Sequence, residues 1–219
     1  MIVVVGRPGL GAAGVGGERP PAGLAALVAV AAARAGAKVE LVGAVGEDPD
    51  GDSVVVALGR AGVGHAAVLR DPAGATPSAE RVGGARLPRL DAADIELGMR
   101  YLAACEVVVV ADPLDEAAAG TLMDAAAYHG AQVVVVAAPG AAVPAAWDRG
   151  ATVLAAPEPD PDDEPSAGRP GVGAVDEAWV GLVSGFAVAL ESGVAPQEAL
   201  KRAVAGGGWE RAPDDEDAW

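Results

Sequence analysis

Cysteine is almost missing from this chain: Cys105 is the only one in 219 residues. No intrachain disulfide can form, and with only His65 and His129 besides, far apart in sequence, no spacing suggests a zinc site. Aromatic residues make up 3%. A core without rings must be built from small side chains, with helices lying close on strands. Cations are scarce as well, 15 Lys and Arg against 31 Asp and Glu, for a net charge of −16. That balance argues against nucleic acid or an anionic membrane as partner, since both need clustered Lys and Arg to displace counterions. The acidity serves solubility. No apolar run is long enough to cross a bilayer comfortably; residues 22–37 come nearest and are interrupted by Arg34. The start lacks the basic region of a secretory signal, and Arg7 and Pro8 break its apolar stretch. A cytoplasmic protein is the expectation. No Gly-Lys-Ser/Thr is present, which excludes a P-loop.

What the chain does have is alanine and valine, which carry most of a 52% hydrophobic content. At this length one domain can bury about 70% of its unfolded surface without a metal or disulfide. Residues 1–5 are wholly apolar, as in a strand covered on both faces. A glycine- and proline-rich loop over 6–21 follows, then a helix over 23–35 that Gly36 stops. The pattern continues with a strand at 38–43, a turn at Glu47-Asp48-Pro49-Asp50-Gly51 and a helix over 52–61. Short strands are expected at 66–70 and 79–83, and a helix over 91–103 with Asp91 as N-cap. Beyond it come a strand at 106–111, a helix at 115–129, strands at 132–137 and 152–155, and helices at 174–190 and 196–204. Cys105 reads as a small core residue beside a strand rather than a nucleophile. The alternation predicts an α/β fold, a mainly parallel sheet between two helical layers. One domain over 1–208 and an acidic, disordered tail over 209–219, which holds Trp209 and Trp219, complete the expected organisation.

One motif invites a cofactor. Gly9-Leu10-Gly11-Ala12-Ala13-Gly14 follows a strand and matches the dinucleotide-binding glycine pattern. Those glycines serve a pyrophosphate only where a helix begins inside the motif. Here Gly16-Gly17 and Pro20-Pro21 come next and the helix starts about ten residues late. The segment reads as a loop, with nucleotide or dinucleotide binding through Gly9–Gly14 as an alternative.

Residues 22–63 are more specific. Ala22-Gly23 opens an alanine-rich helix; Val45-Gly46-Glu47-Asp48-Pro49-Asp50-Gly51 follows a strand; Ala61-Gly62-Val63 ends the next helix. This order and spacing resembles the ribokinase-like (PfkB) carbohydrate kinases, and Thr76 is similar to a threonine of that family after the next strand. The resemblance implies a three-layer Rossmann-like sheet and ATP-dependent phosphoryl transfer to a sugar hydroxyl. It also implies an acid after the first strand, a Gly-Gly pair and an asparagine for the sugar, and an anion hole of glycines beside a catalytic aspartate.

At these positions the chain departs from the family. Gly6 and Arg7, not an acid, follow the first strand. The Gly-Gly pair becomes Ala22-Gly23, leaving Gly23 as the substrate-binding candidate, and the asparagine becomes Leu27, which cannot bond a hydroxyl. The family's Asn-x-x-Glu, used near magnesium, falls at Glu158-Pro159-Asp160-Pro161. Its Gly-Ala-Gly-Asp falls at Ala174-Val175-Asp176-Glu177, which makes Asp176 and Glu177 the candidate bases and Gly171 and Gly173 the candidate anion-binding glycines. Acids in a first helical turn also stabilise a helix through its dipole. The family's lid has at most residues 6–21 in its place, and it is expected to be absent.

The expectation is a degenerate sugar-kinase-like protein with little or no phosphotransferase activity and a role in binding a small molecule or in regulation. A minimal ATP- and Mg-dependent carbohydrate or nucleoside kinase is the alternative. The oligomeric state stays open: relatives often pair through the lid, so a monomer or a different dimer is expected.

Overall fold

A computed structural model describes residues 1–14, 16–81, 84–155 and 177–206. Six strands form one sheet: β1 (Ile2–Gly6), β4 (Val39–Gly46), β5 (Gly64–Asp71), β6 (Val107–Val110), β7 (Gln132–Ala137) and β8 (Thr152–Ala155). Their order is β5-β4-β1-β6-β7-β8 and every pairing is parallel. β1 lies at the centre and all five of its residues are buried, which is why it carries no polar side chain. Gly6 is paired with Gly43, and a Cβ on Gly43 would run into the Gly6 carbonyl, so the two strands meet closely only because Gly43 has no side chain.

Alternation along the strands divides the core. Ile2, Val4, Leu41, Val107, Val109 and Val134 pack beneath α1 (Leu24–Arg34), α2 (Pro49–Arg60), α5 (Glu177–Glu191) and α6 (Pro196–Gly206). Val3, Val5, Val42, Val108, Val110 and Val135 face α3 (Ala92–Arg100), α4 (Glu116–His129) and Trp147, which lies in a single 3₁₀ turn, Ala145–Arg149. Each fully buried valine contributes roughly 1.5–3 kcal/mol to stability. α1 presents Ala25, Ala26, Ala29 and Ala32 to the sheet, so helix and strand approach as the scarcity of rings implies.

Boundaries differ from the sequence expectations in several places: β4 runs three residues further, to Gly46, α3 stops three earlier, at Arg100, and β5 starts two earlier, at Gly64. α2 starts at Pro49, three residues early, because Asp48 caps it and proline suits a first helical position. Of the strand expected at 79–83, Ala79 and Glu80 lie in a turn and Arg81 in no regular element, while residues 82 and 83 lie outside the described residues; Ser78 makes one isolated bridge with Leu10. The loop expected at 6–21 contains a small ribbon, β2 (Gly9–Leu10) antiparallel to β3 (Pro21–Ala22), and the described residues add no larger lid to it.

Cys105 is buried, its Sγ donates to the Val107 carbonyl at 3.5 Å, and burial pushes its thiol up to about 11, which suits a packing role. His129 closes α4 before Gly130, whose φ of 68° makes it the left-handed residue that ends the helix. Trp179 is buried in the α5 layer; Trp209 and Trp219 lie outside the described residues. No helix among the described residues is long and apolar enough to cross a membrane.

Candidate functional site

In an open parallel sheet, ligands bind outside the carboxyl ends of the strands where the strand order reverses. Here the chain moves from β1 outward to β4 and β5, then returns to β6 and continues the other way. The reversal leaves a crevice between the carboxyl ends of β1 and β6. Arg7 follows β1 and Asp112 stands two residues past β6, and the crevice brings them together although they are 105 positions apart.

The contact is built from both ends of Arg7. Its backbone N–H donates to Asp112 Oδ2 at 2.5 Å, and its Nη1 reaches the same oxygen at 3.4 Å. Its Nε donates to the Pro88 carbonyl at 2.6 Å. The Asp112 side chain is 24% exposed and that of Arg7 17%. Burial pushes the Asp112 carboxyl up, while the backbone N–H and the guanidinium of Arg7 pull it down; burial prevails. Among the described residues Oδ1 carries no hydrogen bond, and Asp112 borders a small cavity of about 50 Å³ walled by Leu114, Val136, Val143 and Trp147. A carboxyl raised by burial in a switch-point crevice has the features of a functional group. It can accept a bond from a ligand hydroxyl or, when protonated, donate one.

Two helix starts reach this edge. Gly23 is the N-cap of α1, with φ 80° and ψ 153°, a conformation that only glycine adopts without strain. A Cβ there would meet the Arg7 carbonyl at 3.5 Å, so Gly23 lies against the crevice. Leu27, one turn on, packs against the core below α1. Glu191 at the far end of α5 pairs with the amino group of Met1 at 3.1 Å. A helix of 15 residues is about 22 Å long, which places exposed Glu177 at the carboxyl edge. Asp176, Gly171 and Gly173 lie outside the described residues, as do Glu158 and Asp160. Among the described residues no group of three or more His, Cys, Asp or Glu could hold a metal ion.

The glycine motif Gly9–Gly14 opens no helix, as α1 begins at Leu24. Gly9 sits in β2, where a Cβ would strike the Pro77 carbonyl, so its small size serves packing. The ribbon and its loop are tied down at Arg19: Nη1 reaches Asp50 at 2.6 Å, Nε the Gly11 carbonyl at 3.3 Å, and Nη2 Ser78.

Asp48 forms the best-connected corner of this edge. Its Oδ1 accepts from the Thr76 hydroxyl at 2.7 Å and from Gly51 N–H at 2.8 Å; Oδ2 accepts from Thr76 N–H and Arg81, each at 3.0 Å. Thr76, fully buried, also accepts from Gly46 N–H at 2.9 Å. Burial opposes the charge on Asp48, but the Thr76 hydroxyl, these N–H groups and Arg81 together hold its carboxyl below its usual range. The residues of the Val-Gly-x-Asp-x-x-Gly stretch thus knot β4, α2 and the segment after β5 together, a structural role.

Arg7 and Asp112 were not singled out as site residues from the sequence. Asp112 carries a usable signal, an acid directly beyond the all-valine strand Val107–Val110, but it becomes informative only when β6 is known to adjoin β1.

No protein-family profile matches this chain, and no curated protein matches it in sequence. Solved structures do match. The PfkB protein from Polaromonas sp. JS666 is 20% identical, with a TM-score of 0.57 and coverage of 94% of each chain. A carbohydrate kinase from Agrobacterium tumefaciens is 16% identical, with a TM-score of 0.57 over 94% of this chain and 89% of that one. Arabidopsis thaliana ribokinase, solved with ribose and ATP, is 15% identical, with a TM-score of 0.58 over 94% and 90%.

Proposed function

From the ribokinase-like fold that these likenesses establish, we propose a protein that binds a small molecule at the β1–β6 crevice and has little or no sugar-kinase activity. One observation carries the proposal. The place after β1, where the family resemblance puts a sugar-binding acid, holds Arg7, and its guanidinium bonds Asp112 and Pro88. A cation at that place offers donors and no acceptor, so the paired hydroxyl contacts that an acid would make there are replaced by the single acceptor Asp112. Leu27 points the same way, since it contributes to packing where an asparagine would face the ligand.

The test is turnover. Purified protein with ATP, magnesium and a panel of sugars and nucleosides is expected to consume no ATP above background. Robust phosphorylation of any of them overturns the proposal. A second reading rests on the placement of Glu177 at the carboxyl edge, where a base for a minimal kinase would stand. ATP would supply the phosphoryl group, and Glu177 or Asp176 would take the hydroxyl proton. That reading requires turnover that Glu177→Gln or Asp176→Asn abolishes while ATP binding persists.

A further inference from the structure

A second polar cavity, of about 220 Å³, opens at the carboxyl ends of β4 and β5, and no step above uses it. It is lined by Ala44, Leu69 and Pro72 together with Arg70, Arg86, Arg89, Asp71 and Asp94. Three of the chain's 15 cationic side chains therefore line one cavity of a protein with a net charge of −16.

The charged groups differ in what already occupies them. The two oxygens of Asp71 accept from the backbone N–H of Arg89 at 2.7 Å and of Ala73 at 2.9 Å, and these bonds, that of Arg89 first, hold its carboxyl below the usual range. Asp94 accepts from Asp91 N–H at 3.0 Å as half of the capping box of α3. Both acids shape backbone, and their side chains are only 14% and 15% exposed. Arg70 is also engaged, at 2.7 Å from Asp52 and 3.4 Å from the Gly46 carbonyl.

Arg86 and Arg89 are different. Their side chains are 62% and 59% exposed. Arg86 comes no nearer than 4.0 Å to Asp71, and Arg89 pairs with Asp91 and Asp94 at 3.1 and 3.4 Å. The Arg86 guanidinium makes no hydrogen bond among the described residues, and Arg89 keeps the donors that Asp91 and Asp94 do not engage. Two forked guanidiniums suit the planar or tetrahedral oxygens of a carboxylate or phosphate. The backbone holds them there: Ala75 N–H bonds the Arg86 carbonyl at 2.9 Å, and a Cβ on Gly74 would collide with Pro88.

We infer that this cavity is an oxyanion-binding site, with Arg86 and Arg89 gripping the phosphate or carboxylate of a small molecule whose body lies on Ala44, Leu69 and Pro72. A water takes about 30 Å³ of liquid, so the cavity accommodates the anionic group and a few carbons. The site is separate from the crevice and does not depend on whether that crevice phosphorylates anything.

Isothermal titration at fixed ionic strength in chloride, with inorganic phosphate in one arm and gluconate in the other, tests it. At least one is expected to bind, and the tighter arm identifies the source of the anion. Arg86→Gln with Arg89→Gln should weaken that binding by at least about tenfold, the scale of one lost charge-assisted hydrogen bond. Arg86→Lys with Arg89→Lys keeps the charge, loses the fork and should fall between. Arg149→Gln with Arg202→Gln, the same charge change elsewhere, should leave binding unchanged. If the double glutamine variant fails to fold, each single variant is expected to weaken binding at least about threefold. Absence of binding in both arms, full binding by the glutamine variants, or equal loss in the control pair overturns the inference.

Discussion

The corner around Asp48 and the crevice around Asp112 lie on the same edge of the same sheet, each holding an aspartate near an arginine. They are built differently. Asp48 accepts four hydrogen bonds, from Gly51, from two groups of Thr76 and from Arg81, and its carboxyl is held low. Among the described residues Asp112 is bonded by Arg7 alone, on one oxygen, and its carboxyl is pushed up by burial. Gly46, Asp48, Gly51 and Thr76, which match the kinase pattern, meet at the first corner, and Arg7, which departs from it, stands at the second beside the retained Gly23. These matched residues close helix, strand and turn on each other, a structural role that needs no ligand. The crevice instead holds Arg7 where the resemblance puts an acid, and the proposal of little or no kinase activity rests on that difference.

Three substitutions sharpen or break that contrast. Asp48→Ala should have the largest effect. It removes an N-cap, at about 0.5–2 kcal/mol, and leaves the buried Thr76 hydroxyl without its acceptor, at about 1–3 kcal/mol more. A loss of about 2–4 kcal/mol should lower the melting temperature by roughly 5–15 °C, read by calorimetry. A change below about 1 kcal/mol would show that the corner is not the structural knot its bonds imply.

Gly23→Ala comes next. It forces a side chain into a conformation with φ 80° and should cost of order 1–3 kcal/mol in a denaturant titration. A neutral outcome would mean that the start of α1 can be rebuilt, and that the crevice is less fixed than its backbone suggests.

Asp112→Asn should change stability least at neutral pH, by less than about 1 kcal/mol. Its signature is in the pH dependence. The folded carboxyl is raised above its ordinary value of 3.8, so the folded state holds the proton more tightly than the unfolded one. Stability from this group therefore falls as pH rises from near 3.8 through the raised value, and gains as pH is lowered. Melting curves between about pH 4 and pH 7 should show this slope in the parent and lose it in the variant. Asp48 works the opposite way, its contribution being present above 3.8 and lost as pH falls through its lowered value.

Much of the framework could be read from the chain. β7 and β8 fall at the expected residues, and α4 and α1 within one, since apolar strands and capped helices carry their own punctuation. α2 was placed late because Asp48-Pro49 looks like a turn, although an N-cap followed by proline is also a helix start. The crevice was not readable, for a physical reason. Arg7 is legible only as a replacement for the family's acid; its pairing with Asp112 follows from strand order, and nothing local in Val107–Val110 states that its neighbour is Ile2–Gly6. Gly23 is a substrate-binding candidate only through the family's Gly-Gly pair; its place as the N-cap of α1, at φ 80°, is a backbone role that the sequence does not state. Leu27 was recognised by what it replaces.

The central place of β1 has a kinetic consequence. Its two neighbours are Val39–Gly46 and Val107–Val110, so its second edge stays open until a segment about a hundred residues distant arrives. Closing so long a loop slows folding, and meanwhile an all-apolar strand exposes a row of unpaired amides, the template for aggregation. Formation of the Arg7–Asp112 contact marks the end of that exposure. A probe of the crevice would thus report on completed folding, and conditions that delay the docking of β6 should first appear as lost yield of soluble protein.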